Sequence, residues 1–193
     1  MKKIIPVALT LLLSGCFDYS SVMKIEQDGS GTLELEIKLL SSESENVSFE
    51  DYQGELDSVS GLTIDTFVVD TIDTVLRLLV RGRFDNFEAV TADFFGADSF
   101  SITEKEKAQV HRFKLYKRFE PSDQSIDFSS MDFDPYAFKW HEELILPGKI
   151  AKHNADAQRG DTLIWERRTW DVYEKGLIME AMWEVQQSSS SQE

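Results

Sequence analysis

Leu33, Leu35, Ile37 and Leu39 alternate with Glu34, Glu36 and Lys38. That period of two cannot be gathered on one side of a helix, whereas a β-strand buries it on one face. Met23 and Ile25 alternate in the same way just upstream, and Gln27-Asp28-Gly29-Ser30-Gly31 supplies turn chemistry between the two runs. A β-hairpin with one buried face is therefore expected. The Asp-x-Ser order in the turn invites comparison with a calcium loop, but the later acidic ligands of an EF-hand are absent and the turn reading is preferred.

The periodicity then changes. After a polar loop at residues 41–46, Ser48 and Asp51 stand at capping-box spacing, and Phe49, Tyr52, Leu56 and Val59 recur at helical intervals. A helix ending near Gly61 is predicted. Residues 62–69 and 74–84 read as a second hairpin around Asp70-Thr71-Ile72-Asp73, with Leu76, Leu78 and Val80 alternating in its second strand. Asp85 and Glu88 again have cap spacing, Phe87, Val90 and Phe94 mark a helical face that Gly96 should end, and a strand follows at residues 99–103. The order strand, helix, strand, strand, helix, strand predicts an α+β fold with a split βαβ core: an antiparallel sheet carrying two helices on one face, followed by C-terminal antiparallel strands.

Those later strands are predicted at residues 110–119, 137–146, 162–167 and 177–185. The first places His111, Phe113, Leu115 and Phe119 on one side and Arg112, Lys114 and Arg118 on the other. With Lys117 this is the densest basic cluster in the chain. Contact with lipid headgroups or an acidic ligand is one reading, and a solvated strand face answering nearby carboxylates is the preferred one. The last strand aligns Leu177, Met179, Ala181, Trp183 and Val185 on one face. Pro147-Gly148 makes a turn, residues 154–160 a polar loop, and residues 186–193 a disordered polar tail. Residues 120–135 are irregular yet carry Phe128, Met131 and Phe133, leading into Tyr136, Phe138 and Trp140. So many large apolar side chains need apolar surface to cover, either as a flap over a ligand cavity or lipid, or as a loop pinned to the core.

The N-terminus has a different logic. Lys2 and Lys3 precede an apolar run at residues 4–12 and the box Leu13-Ser14-Gly15-Cys16. The run falls short of the ~20 residues that a spanning helix needs, and its order is that of a secretory signal. This segment resembles the export signal of bacterial lipoproteins. The resemblance implies cleavage between Gly15 and Cys16, a diacylglyceryl thioether on Cys16 and then N-acylation, so that the chain is anchored to a membrane rather than spanning it. Two or three acyl chains hold a protein durably where one does not, at about 0.8 kcal/mol per buried methylene. The organisation expected is a signal peptide at residues 1–15, the lipidated cysteine and a short tether at 16–21 reaching at most ~13 Å beyond the cysteine, one domain at 22–185, and the tail. A cell-envelope location is implied, with the outer membrane favoured in a cell that has one, because Phe17 rather than an aspartate follows Cys16.

Composition narrows the function classes. A net charge of -15 repels nucleic acid. Cys16 is the only cysteine, so the domain has no internal disulfide and no thiol nucleophile once that sulfur is acylated. His111, His141 and His153 lack the spacing of a helical zinc pair, and no nucleophile elbow, phosphate loop or dinucleotide fingerprint is present. No catalytic residue, metal ligand or cofactor site is assigned.

Lys24-Ile25-Glu26-Gln27-Asp28-Gly29-Ser30-Gly31 near the cysteine, Leu144-Ile145-Leu146-Pro147-Gly148-Lys149-Ile150, then Asn154-Ala155 and Gly160-Asp161-Thr162-Leu163-Ile164-Trp165 together resemble the LppM-type lipoprotein domain. The resemblance covers the mature domain in outline and implies a noncatalytic envelope lipoprotein with a mixed α/β domain, with lipid or glycolipid binding as a role. Some relatives carry a C-terminal membrane helix that has no counterpart in this sequence, which leaves the lipid as the expected anchor. The function expected is an anchored, noncatalytic module that binds a lipid or amphiphile or an envelope protein partner. The alternative is an envelope glycan or peptide hydrolase using carboxylates that the sequence does not single out.

Overall fold

The period-two stretch forms a strand, and the hairpin it belongs to is the middle of the molecule. The computed structural model describes residues 17–40, 49–73, 75–95, 99–105, 108–117 and 137–186. Along these run β1 (Phe17–Ile25), β2 (Gly31–Leu40), α1 (Phe49–Asp57), β3 (Leu62–Ile72), β4 (Val75–Phe84), α2 (Phe87–Phe95), β5 (Phe100–Lys105), β6 (Ala108–Lys117), β7 (Lys139–Ile145), β8 (Lys149–His153), β9 (Ala157–Arg159), β10 (Thr162–Arg168), α3 (Thr169–Lys175) and β11 (Leu177–Gln186). The fold is α+β and mainly strand. Seven strands form one sheet in the order β3-β4-β2-β1-β7-β10-β9, and four form a second in the order β5-β6-β11-β8. No helix among the described residues is long and apolar enough to cross a membrane.

The β1–β2 turn closes by side-chain chemistry. Asp28 Oδ1 accepts from the Ser30 amide at 3.0 Å and the Ser30 hydroxyl at 2.6 Å, Gly29 takes φ 83°, and the turn reading is thereby preferred on geometry to a calcium loop. The register then sets Met23 opposite Leu33, and Leu35 and Ile37 opposite Val80 and Leu78. Those six side chains are all buried.

The expected single antiparallel sheet is corrected in two respects. β2, β3 and β4 with α1 do take the first part of a split βαβ arrangement, because β2 and β3 each pair antiparallel with β4 between them. The place beside β2 where a fourth strand of that motif would lie is already filled by β1, its hairpin partner. The sequence-predicted fourth strand, β5, pairs with β6 in the second sheet instead. Further, β1 pairs parallel with β7, and parallel neighbours need a long crossover, here the chain from β2 to β6, which adds three strands to the large sheet and lays down the first two of the second. The helices divide accordingly: α1 packs on β3, and α2 packs on β5 and β6.

One apolar core takes side chains from both sheets and all three helices. Phe87, the first residue of α2, sits at the seam. Its ring lies 6.0 Å from Phe84 of the large sheet and 5.1, 5.7 and 6.5 Å from Phe100, Phe113 and Trp183 of the small one, within the range of favourable aromatic pairs. The cap of α2 falls one residue later than the spacing suggested, on Asn86, whose Oδ1 accepts from the amides of Glu88 at 2.8 Å and Ala89 at 3.2 Å.

A polar clamp joins the sheets at another point. Asn154 Oδ1 accepts from Trp165 Nε1 of β10 at 2.9 Å and from the Glu180 amide of β11 at 2.7 Å, while its Nδ2 donates to the Ile178 carbonyl at 3.0 Å. The Asn154 and Trp165 motifs, eleven residues apart in sequence, are thus one structural device.

Candidate functional site

Cys16 and Gly15, the expected acylation and cleavage positions, lie outside the described residues, but the chain immediately after Cys16 is described. Phe17 begins β1, the central strand of the seven-stranded sheet. Residues 18–21, expected as a free tether, are therefore strand: Asp18 Oδ1 accepts from the Lys139 amide at 2.8 Å, and Tyr19 faces Trp140 across the parallel pair. Their alternation of side chains is continuous with that of Met23 and Ile25, and β1 extends as far as β2 and β7 offer it partners.

The inward side of β1 and β7 carries a polar cluster within an otherwise apolar core. Ser21 and Glu142 are opposite each other and buried. Tyr19 stacks on Trp140 with ring centroids 4.0 Å apart and planes 19° apart. Trp140 Nε1 donates to Glu142 Oε1 at 3.1 Å, and the Tyr19 hydroxyl is hydrogen bonded to Glu142 and Ser21. Burial first, then the charge of Glu142, pushes the Tyr19 phenol well above its ordinary value. Tyr19 itself is partly buried; Tyr52 of α1 is buried, and burial followed by the charge of Glu55 pushes its phenol up strongly. A carboxylate in such a place is costly without donors, and Tyr19 and Trp140 supply them. The signal is present in the sequence: Glu142 occupies an inward position of the alternation Trp140, Glu142, Leu144, Leu146, where a charge requires a partner.

The expected flap divides. Phe128, Met131, Phe133 and Tyr136 lie outside the described residues. Phe138 is half-buried just before β7, and its carbonyl accepts from the Thr169 amide at 3.0 Å. Trp140 is not a flap residue but a core residue, 2% exposed, because its position in β7 points it inward against Tyr19.

The histidines are dispersed. His111 is buried in β6 and stacked on Trp183 at 5.2 Å, His153 Nε2 lies 3.1 Å from Gln158 Oε1, and His141, on the outer side of β7, lies 2.9 Å from Glu143 and 3.3 Å from Glu166. No group of three potential ligands able to hold a metal ion occurs among the described residues. The basic face of β6 behaves as a solvated strand face at Lys114, which pairs with Glu180 directly across the strands at 2.8 Å. That hydrogen bond and charge hold the Glu180 carboxyl below its usual value. Lys117 and Arg118 have no described side chains.

Other carboxylates on the exposed strand faces are paired as well: Asp65 with Arg83, Asp70 with Arg77, Glu34 with Arg81. Cross-strand pairs of this kind order the surface of a sheet. Each of Asp65 and Asp70 is held below the usual carboxylate value, first by its hydrogen bond to the arginine.

No protein-family model and no curated protein matches this chain. Among solved structures the chain is similar to the folded domain of Mycobacterium tuberculosis LppM determined by NMR, at 11% sequence identity over 89% of this chain and 91% of that one, with a TM-score of 0.47.

Proposed function

We propose that the chain is a noncatalytic envelope lipoprotein, held by acyl groups on Cys16, whose domain works at the membrane surface as a binding or assembly module for an amphiphile or a protein partner. The observation that carries this is the position of the export box: Leu13-Ser14-Gly15-Cys16 ends one residue before Phe17 opens the central strand of the large sheet. With no free tether between them, an acylated Cys16 holds the end of that sheet against the bilayer, one Cα step of about 3.8 Å away. In a cell with two membranes the outer one is the expected address.

Pairing of the exposed carboxylates and occupation of Glu142 by Tyr19 and Trp140 support a structural rather than a chemical role for these acids. The test is metabolic labelling with a fatty acid together with membrane fractionation. The wild-type protein should take up label and sediment with membranes, whereas Cys16→Ser should take up none and remain unprocessed. Normal processing and membrane retention of the unlabelled Cys16→Ser protein would overturn the proposal.

A further inference from the structure

We propose that the tip of the β3–β4 hairpin is seated in the interfacial layer of the same bilayer that holds Cys16; this deepens the anchoring proposed above and rests on it. Three of the five most exposed large apolar side chains among the described residues crowd into the last five residues of β3: Val68 at 40%, Val69 at 39% and Ile72 at 51%. Side chains alternate along a strand, so Val68 and Ile72 project from one face of the hairpin and Val69 from the other. Docking to a folded partner would cover one face of this edge hairpin. A lipid interface wets both.

Strand register puts this tip at the anchored end. Phe17 is level with Leu39 of β2, Leu39 with Leu76 of β4, and Leu76 with Thr71 of β3. Ile72 and Val75, which face each other across the hairpin, lie one step beyond that row, in the direction from which the chain enters from Cys16. Three strand spacings, about 14 Å, separate β3 from β1. A sheet held at Cys16 with its strands upright on the bilayer therefore brings Ile72 to the surface beside the anchor.

The charges are arranged for shallow contact. The Asp70 carboxylate is occupied by Arg77 through two bonds, of 3.0 and 2.6 Å. Asp73, at the turn with φ 57°, is exposed and keeps the extreme tip at headgroup level. On the other side of β1, at the same end of the sheet, Lys139 and Arg168 are paired across β7 and β10 and both are exposed, placing two cations near lipid phosphates.

Because Cys16 is the chain's only cysteine and its sulfur is blocked by acylation, an introduced cysteine takes a nitroxide label uniquely. Full-length acylated protein carrying Ile72→Cys, Val68→Cys or Gln27→Cys is labelled and reconstituted into phosphatidylcholine vesicles. Gln27 lies in the β1–β2 turn at the opposite end of the sheet. The expected result is a several-fold rise in collisions with oxygen relative to a water-soluble nickel complex at residue 72, a smaller rise at 68 and none at 27. Co-flotation with vesicles while the labels at 72 and 27 are equally open to the nickel complex overturns the seating of the hairpin alone. Failure of the unlabelled wild-type protein to float overturns the anchor and the seating together.

Discussion

Trp165 Nε1 donates a 2.9 Å hydrogen bond to Asn154 Oδ1, and the same oxygen takes the Glu180 amide at 2.7 Å from the other sheet. One short side chain thereby satisfies a fully buried indole and ties β10 to β11. Asn154→Ala removes one acceptor that takes two hydrogen bonds and one donor and leaves the Trp165 indole without its partner, which costs about 1–3 kcal/mol for a buried donor. The expected outcome is a lower denaturation midpoint with an unchanged slope. Asn154→Asp keeps both acceptor roles but turns the donor to Ile178 into an acceptor facing its carbonyl, so it should be less stable than the wild type while the Trp165 bond is retained; an alanine variant as stable as the wild type would show that the clamp contributes nothing.

Much of the architecture was legible because period two survives without context. The inward faces of β2 and β11 can be read directly from their alternation, and Leu177, Met179, Ala181, Trp183 and Val185 are all buried as expected. What escaped is non-local or short. The exposed side chains of β9 and the mostly polar β8, KIAKH, give no burial pattern to read, and α3 has seven residues with no side-chain cap. The exit of β5 to a second sheet depends on competition for the edge of β2, which β1 wins through its two-sided pairing. At the candidate site, the expectation for Cys16 rests on a local motif, whereas the Tyr19 and Glu142 contact joins strands more than a hundred residues apart and left only one charge in an apolar register as its trace.

Gly31 and Gly54 should respond to alanine in opposite directions. A Cβ on Gly31 would stand 2.0 Å from the Lys24 carbonyl oxygen and 2.4 Å from Phe84 Cζ, so the hairpin and the core would both have to move, at a cost of about 1–3 kcal/mol or more. Gly54 lies exposed within α1 with nothing within 4 Å of the same position. Alanine there should stabilise by about 0.5–1 kcal/mol through helix propensity. Thermal unfolding of the two variants beside the wild type checks both signs at once.

Alkaline pH should unfold the domain through its tyrosines. The phenols of Tyr19 and Tyr52 are both raised above the ordinary value of 10.0, chiefly by burial. A group whose value is raised by folding stabilises the protein fully below its unfolded value and loses that contribution progressively as pH climbs from there through its folded value. Stability is therefore expected to decline above about pH 10 as unfolded tyrosines ionise. Tyr52→Phe, which cannot ionise, should show a shallower decline between about pH 9.5 and 11 than the wild type, as about one proton fewer is released on unfolding. Equal slopes would mean that Tyr52 is not held neutral by the fold.

Tyr19 and Glu142 should prove energetically coupled. The hydroxyl of one and the carboxylate of the other meet beside the Trp140 indole, and Trp140 Nε1 shares the same carboxylate at 3.1 Å. Tyr19→Phe removes the hydroxyl without disturbing the 4.0 Å stack on Trp140. Glu142→Leu removes the acceptor for both donors. If the hydroxyl acts through Glu142, Tyr19→Phe should cost about 1.5–3 kcal/mol in the wild-type background, as expected for a hydrogen bond to a charged group. It should cost much less once Glu142→Leu is present, giving a coupling of at least about 0.5 kcal/mol in a double-mutant cycle. Additive losses would show that each side chain packs independently, and that the contact between them adds nothing to the pairing of β1 with β7.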